Sequence, residues 1–172
     1  MKQNLLLTLT LMLCCIFSSN AQVSSMRLGY CNGEVASKGQ IGISGENTIE
    51  AAIFLTQSQL SIHNGNQIES IKAGLATKLN LTSLTVWVRS ELNGEKLAEG
   101  TAESIKKGWN DIFLTSPYTI TGEKGLYIGY TFTQKGSAYG ISTVGSYVEN
   151  GLFIKLGNDS EWESPTEYGI AS

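Results

Sequence analysis

The stretch Leu84-Thr85-Val86-Trp87-Val88-Arg89 alternates between aliphatic and mixed side chains with a period of two. One face carries Leu84, Val86 and Val88, and the other carries a threonine, a tryptophan and Arg89. Successive side chains of a β-strand point to opposite faces, so this alternation predicts a strand that packs one side on a core and leaves the other more exposed to solvent.

The same period of two recurs in Leu126 to Phe132, where Leu126, Ile128, Tyr130 and Phe132 oppose a tyrosine, a glycine and a threonine. Five further segments are rich in β-branched and aromatic residues, which suit a pleated surface, and are predicted as strands. They are Ile49 to Leu55, Ile68 to Leu79, Trp109 to Leu114, Tyr139 to Val144 and Leu152 to Leu156.

Two stretches interrupt this pattern. Thr56 to His63 has too few apolar residues for a strand and predicts a helical turn. Asn93 to Lys107 is polar and is interpreted as two short edge strands with a long loop. No segment shows a sustained apolar repeat of about 3.6 residues, so long helices are not expected.

Turn signals separate the predicted strands. All 19 glycines follow residue 21, against two prolines in the whole chain. Asn64-Gly65, Asn93-Gly94 and Asn150-Gly151 accept positive φ angles, and each is predicted to separate two strands. Thr121 to Gly125 is predicted to close another hairpin. About eight to ten short strands with close turns indicate an all-β fold, a two-sheet antiparallel β-sandwich of jelly-roll-like or Greek-key topology.

The first 21 residues read as a signal peptide. Lys2 gives a basic start, Leu5 to Phe17 form an apolar run, and Ser19-Asn20-Ala21 offers the small residues that a signal peptidase reads. Cleavage is predicted before Gln22, and the run is shorter than the roughly 20 apolar residues of a membrane-spanning helix. The alternatives are a buried N-terminal helix and a lipid anchor on a cysteine of the run, which lacks the small preceding residue that lipoprotein cleavage prefers.

The predicted mature chain, Gln22 to Ser172, is interpreted as a single β-sandwich domain. Its 11 basic and 15 acidic side chains give a net charge of −4, because Lys2 leaves with the signal peptide. This mild acidity argues against nucleic acid and anionic membrane as partners, since both attract basic patches. One cysteine remains, Cys31, so no internal disulfide can form and the fold must be held by its core.

Cys31 and His63 are the obvious residues to test for a thiol nucleophile. That chemistry needs a thiolate formed beside an imidazole, and neither residue lies in a recognisable nucleophile motif. One cysteine and one histidine also fall short of a zinc site. The chain has no serine-hydrolase motif and no glycine-rich phosphate loop. The sequence therefore predicts a protein that is not an enzyme, with no catalytic residue and no required cofactor.

Carboxylates occur near both ends of the mature chain, and Ca²⁺ is the metal ion that they suggest. Ca²⁺ takes about six to eight oxygen ligands, but the aspartate-rich loop motif is absent and spaced glutamates usually form a solvated face. A glycosidase pair has less support, because nothing selects two of the 15 carboxylates. The residues concerned are Glu34, Glu46, Glu50, Asp159, Glu161 and Glu163. No metal ligand is assigned.

Aromatic residues are the better indication of a binding site, because they stack on sugar rings and anchor protein interfaces. The competing interpretation is that they fill the core, where aromatic side chains contribute most to packing. Trp162 lies between two glutamates in a loop-like segment and is the least core-like, and Tyr147 and Tyr168 share a polar context. With Trp87 and Arg89, which lie opposite the aliphatic face of their strand, these residues form the candidate binding set.

Several motifs together resemble a β-sandwich module of secreted and cell-surface proteins of host-associated Gram-negative bacteria. They cover nearly the whole mature chain and comprise Leu28-Gly29-Tyr30-Cys31-Asn32-Gly33, Ile71-Lys72-Ala73-Gly74-Leu75-Ala76, Leu84-Thr85-Val86-Trp87-Val88-Arg89-Ser90-Glu91-Leu92-Asn93-Gly94, Gly108-Trp109-Asn110, Pro117-Tyr118-Thr119-Ile120 and Gly125-Leu126-Tyr127-Ile128-Gly129-Tyr130. Modules of this kind lie beside streptopain-like cysteine proteases, fibronectin type III domains and C-terminal sorting domains, and are broadly adhesin-like.

The resemblance implies a jelly-roll-like fold and an accessory or adhesive role without catalytic residues. It implies an exported protein, either secreted or held at the cell surface or in the periplasm. Modules of this kind continue through a further strand after residues 168–170, whereas this chain stops at Ser172. A domain truncated at its C-terminus, with one sheet edge unpaired and prone to association, is therefore an alternative expectation.

The leading hypothesis is a secreted, non-catalytic binding module that recognises a surface protein or glycan of the host or of the bacterium. A second hypothesis is a carbohydrate-binding accessory domain that acts in glycan breakdown. A third is a non-catalytic segment of a secreted cysteine protease precursor, with the catalytic part encoded elsewhere.

Overall fold

The structure is a computed structural model, and it describes residues 25–30, 33–35, 39–143 and 148–164. The predicted signal peptide lies outside the described residues. Within them the regular secondary structure is almost entirely β-strand, with one helix of five residues. The elements are β1 Gly39–Ile43, β2 Asn47–Leu55, α1 Gln57–Ser61, β3 Gln67–Leu75, β4 Leu81–Arg89, β5 Lys96–Thr101, β6 Gly108–Thr119, β7 Leu126–Gln134, β8 Ala138–Thr143 and β9 Phe153–Leu156.

The strands form two antiparallel sheets that pack on each other. One sheet has four strands in the order β1-β8-β3-β6, and the other has five in the order β5-β4-β7-β2-β9. β4 and β5 form a hairpin, and around it β3 pairs with β6, β2 with β7 and β1 with β8. The first eight strands are therefore one long antiparallel hairpin rolled into two layers, which is a jelly roll. The predicted all-β sandwich is confirmed.

Rolling the hairpin sends nearly every connection from one sheet to the other. Among the described elements, β4 and β5 are the one consecutive pair that shares a sheet. The prediction that Thr121 to Gly125 closes a hairpin is wrong, because this turn joins β6 to β7, which lie in different sheets. Gly122 does adopt the positive φ, 68°, that the turn chemistry predicts. Turn residues predict that the chain reverses direction, but they do not predict whether the two flanking strands pair with each other.

The predicted helical turn is confirmed. α1 begins with a capping box, in which Thr56 Oγ1 accepts from the Gln59 N–H and Gln59 Oε1 accepts from the Thr56 N–H. Asn64-Gly65 follows this helix and lies, as predicted, between the strands β2 and β3, with Gly65 at φ 83°. Residues 93–107 contain one edge strand, β5, where two were predicted.

The core lies between the inner faces of the two sheets. Leu84, Val86 and Val88 are all fully buried there, as their alternation predicts. Phe132 of β7 is fully buried in the same core and stacks on Tyr130, with ring centroids 6.3 Å apart. Burying one large apolar side chain stabilises a fold by about 1.5–3 kcal/mol. The rest of this core is aliphatic: Ile49, Ala51, Leu55, Leu60, Ile71, Ala73, Leu75, Ile112, Leu114, Ile120, Leu126, Ile141 and Ile154.

Trp87 and Trp109 lie on the outer faces of the two sheets, so the interpretation that the tryptophans fill the core is wrong for them. Each packs over a glycine of the neighbouring strand, Trp87 over Gly129 and Trp109 over Gly74. A glycine lets a large ring approach the backbone of the adjacent strand, because no side chain occupies that position.

We predict that Gly129→Ala destabilises the protein by about 1–3 kcal/mol, the usual cost of overpacking a filled site. The new methyl group would overlap the Trp87 indole and come within 2.7 Å of the Ala51 carbonyl oxygen. Backbone atoms cannot move aside as a flexible side chain can. Urea-induced unfolding, followed by tryptophan fluorescence, measures the change in the free energy of unfolding.

Gly33→Ala is the matched control for this substitution. An added methyl group at Gly33 meets nothing within 4 Å, so we expect its stability to stay within about 0.5 kcal/mol of the wild type. Equal stabilities for the two variants would show that Trp87 does not need the bare backbone of Gly129.

Candidate functional site

The outer face of the five-stranded sheet carries a continuous set of aromatic and charged side chains. The cross-strand register places Trp87 of β4 beside Gly129 of β7, followed by Ala52 of β2 and Phe153 of β9. A second row consists of Arg89, Tyr127 and Phe54, and a third of Thr85, Thr131, Glu50 and Lys155. These three rows, together with Trp162 and Asn93, are called the outer-face site below.

Trp87 is the centre of this site. It is fully buried although it points away from the core, and its Nε1 donates a hydrogen bond of 2.9 Å to Thr131 Oγ1. Thr131 Oγ1 in turn donates to Glu50 Oε2 at 3.1 Å. The guanidinium of Arg89 lies over the Trp87 ring, with Cζ 4.0 Å from the ring centroid. The indole is thus fixed by the backbone below it, a hydrogen bond at its edge and a cation above it.

Arg89 and Glu50 form an ion pair that is largely shielded from water. Arg89 Nη1 lies 3.1 Å from Glu50 Oε2, and the two side chains are 12% and 16% exposed. Nη1 also donates to the Leu92 carbonyl oxygen at 2.8 Å. The Nε–H is buried and has no acceptor among the described residues. The described residues therefore satisfy this guanidinium only in part, and a buried donor without an acceptor costs about 1–3 kcal/mol.

Trp162 covers one side of Trp87. The two rings meet edge to face, with centroids 6.1 Å apart and planes at 80°. Trp162 Nε1 donates a hydrogen bond of 3.0 Å to Asn93 Oδ1 in the β4–β5 turn. The next residue, Glu163, pairs with Ile154 of β9 through two main-chain hydrogen bonds of 2.8 and 2.9 Å. The segment that follows β9 is therefore held to the sheet by the indole of Trp162 and by the main chain of Glu163.

Three further aromatic rings continue the site towards the edge of the sheet. Tyr127 contacts Phe54 with ring centroids 4.7 Å apart, and it contacts Phe153 at 5.5 Å with the ring planes at 80°. All three rings, like Trp162, are partly exposed. Tilted and edge-to-face contacts of this kind are favourable arrangements of aromatic rings. They hold the three side chains together as one platform.

The structure brings together three of the five candidate binding residues, Trp87, Arg89 and Trp162. Tyr147 and Tyr168 lie outside the described residues. Sequence reasoning missed Tyr127, which stands at an outward position of the strand Leu126–Gln134. It also missed the contributions of β2 and β9, because only the pairing of β2 with β7 and β9 brings Glu50, Phe54 and Phe153 to this face.

The described residues assemble no group of three or more histidine, cysteine, aspartate or glutamate side chains that could hold a metal ion. Cys31 lies outside them, and His63 is nearly buried in the turn after α1.

Desolvation raises the pKa of the Tyr130 phenol well above its usual value, which keeps this interior hydroxyl neutral. Its oxygen lies 3.4 Å from the Gly74 carbonyl oxygen, to which it donates.

Comparison with known proteins gives no match, since no family model, no curated protein and no solved structure matches this chain. The resemblance to an adhesin-like module therefore stays a prediction. In the part of the chain that the structure describes, no helix has the length and apolar character needed to cross a membrane.

We predict that Arg89→Met destabilises the protein by about 3 kcal/mol, because removal of one partner leaves the shielded carboxylate of Glu50 without its cation. The double variant Glu50→Gln with Arg89→Met removes both charges, and we expect it to recover at least half of that loss. Urea unfolding of the wild type, both single variants and the double variant gives the coupling energy of the pair. Additive losses would mean that Glu50 and Arg89 do not stabilise each other.

Proposed function

We propose that this chain is an exported, non-catalytic binding module and that the outer-face site recognises its ligand, a protein or glycan at the surface of the host or of the bacterium. The N-terminal sequence pattern supports export, and the motif resemblance supports the accessory, adhesin-like role. The contacts of the outer-face site support this face as the binding face.

A rigid aromatic surface at the centre of a sheet supports this proposal most directly. Trp87 supports Trp162 at one end of the surface, and Tyr127 holds Phe54 and Phe153 at the other. Partly exposed aromatic rings on the outside of a sheet have no role in the inter-sheet core. Tryptophan, tyrosine and arginine are also the residues that dominate binding energies at protein interfaces. Little side-chain entropy is lost on binding, because hydrogen bonds and ring contacts already fix these side chains.

Glycan recognition is the second candidate function. Aromatic rings on a sheet surface present flat apolar areas, and Arg89, Asn93 and Lys155 supply polar groups around them. An accessory role in glycan breakdown would use the same face. No described residue carries an arrangement that favours the protease-precursor hypothesis over these two.

A glycan and host-protein array probed with the purified chain tests the proposal. We expect saturable binding that falls at least tenfold in Phe153→Ala and in Trp162→Ala, because each substitution removes one partly exposed ring of the platform. A buried aromatic contact in an interface contributes about 2 kcal/mol or more, which corresponds to this loss.

Phe113→Ala is the matched control, because Phe113 is 72% exposed on the outer face of the opposite sheet. We expect this variant to bind like the wild type. If Phe113→Ala loses binding while Phe153→Ala retains it, the ligand is recognised by the four-stranded sheet and the assignment of the outer-face site is wrong. A well-folded chain that binds no member of the array contradicts the binding role itself.

A further inference from the structure

We infer that the outer-face site takes an acidic sugar, a ring that carries a carboxylate, as the terminal or repeating unit of a glycan. This inference rests on the proposed binding function and adds the chemical class of the ligand. Three observations support it: a two-donor edge of Arg89 for which the described residues supply no acceptor, an adjoining platform of aromatic rings, and the hydrogen bonding of the sheet around them.

The described residues use one end of the Arg89 guanidinium and leave another without a partner. Both contacts, to Glu50 and to the Leu92 carbonyl oxygen, are made by Nη1. The Nε–H has no acceptor among the described residues and is buried. In a guanidinium, Nε–H and Nη2–H point in the same direction and form a fork that matches the two oxygens of a carboxylate. A ligand carboxylate at this edge would take the Nη2 hydrogen directly and the Nε hydrogen after a small outward shift of the side chain.

The aromatic platform adjoins this fork. Tyr127 is the cross-strand partner of Arg89, and Phe54 is the partner of Tyr127 on the next strand. A ring bound on these side chains would therefore lie within reach of the guanidinium. Pyranose rings suit such a surface, because one side of the ring is lined by C–H groups while its hydroxyls point outward.

The hydrogen bonding of the sheet favours a sugar over an extended peptide. β4 pairs with β5 and β7, β7 with β4 and β2, and β2 with β7 and β9. Their main-chain groups are therefore already used on both sides. β9 is the edge strand of this sheet, and there Ile154 exchanges two main-chain hydrogen bonds with Glu163, so an added strand would have to displace the segment that carries Trp162. Recognition must rely on side chains, which here are rings, a guanidinium and a few polar groups.

Charge at the site is compatible with an anion despite the net acidity of the chain. Glu50 already has a cation at Nη1 of Arg89, and Lys155 is its cross-strand partner on β9. On β5, Lys96 and Glu99 are the cross-strand partners of Arg89 and Trp87, and they form an ion pair with each other at 2.6 Å. A second carboxylate bound to Arg89 would therefore have Glu50 and Glu99 as anionic neighbours, against the cations of Arg89, Lys96 and Lys155.

The experiment is an array that pairs each acidic oligosaccharide with its neutral counterpart. Sialylated chains are printed beside the same chains desialylated, and uronate-containing chains beside their carboxyl-reduced forms, together with an acidic peptide. We expect acidic members to bind at least tenfold more tightly than their neutral partners. We expect Arg89→Lys to abolish this preference, because lysine keeps the positive charge but lacks the two-donor fork. Lys72→Met, which removes a cation from the outer face of the opposite sheet, should leave the preference unchanged.

Two results would overturn the inference, and a third would overturn the role given to the two-donor fork of Arg89. If acidic and neutral partners bind equally and Phe153→Ala loses binding, the proposed binding face stands but recognition of a ligand carboxylate is excluded. Binding of the acidic peptide alone would make the ligand a protein. Acidic preference that survives in Arg89→Lys would show that charge, and not the two-donor fork, selects the ligand. Circular dichroism of Arg89→Lys separates a lost contact from a lost fold, and competition of wild-type binding by free glucuronate tests the same preference without any substitution.

Discussion

The outer-face site depends on the absence of a side chain at Gly129. Because residue 129 is a glycine, the indole of Trp87 can rest on the backbone of β7 and reach the hydroxyl of Thr131. The fixed indole then supports Arg89 from below and Trp162 from the side. The four side chains come from three separate parts of the chain, and one bare stretch of backbone makes their arrangement possible. The positions of the charged and aromatic side chains on this face therefore depend on a steric condition, the lack of a side chain at Gly129.

The strands and their inward faces could be predicted from the sequence, because a period of two is a local signal. Leu84, Val86 and Val88 lie in the core as their alternation requires, and the outward position of Trp87 follows from the same pattern. The burial of Trp87 could not be predicted, since it results from Gly129, Arg89 and Trp162 acting together. Periodicity assigns a side chain to a face, and only the register between strands decides what covers it.

The order of the strands in the two sheets could not be predicted from the sequence, for a related reason. The turn at Thr121 to Gly125 has the residues of a hairpin, yet the strands on either side of it belong to different sheets. Likewise, the contributions of β2 and β9 to the site come from pairings between distant segments. Of the five candidate residues, Trp87, Arg89 and Trp162 could be found because each carried a local sign of an outward or loop position, whereas the partners that make them a site carried none.

The nested pairing of the strands has a consequence for how the protein reaches this structure. The β4–β5 hairpin needs only local contacts, but β1 must find β8, and Gly39 pairs with Thr143 near the other end of the described chain. Loop-closure entropy is lost before such distant pairs form, so all-β topologies of this kind fold slowly. Assembly from the central hairpin outward keeps each successive loop short, because β3–β6, β2–β7 and β1–β8 each extend a structure that already exists. In an assembly of this order β1 would pair last, because it adds to β8, which also pairs with β3.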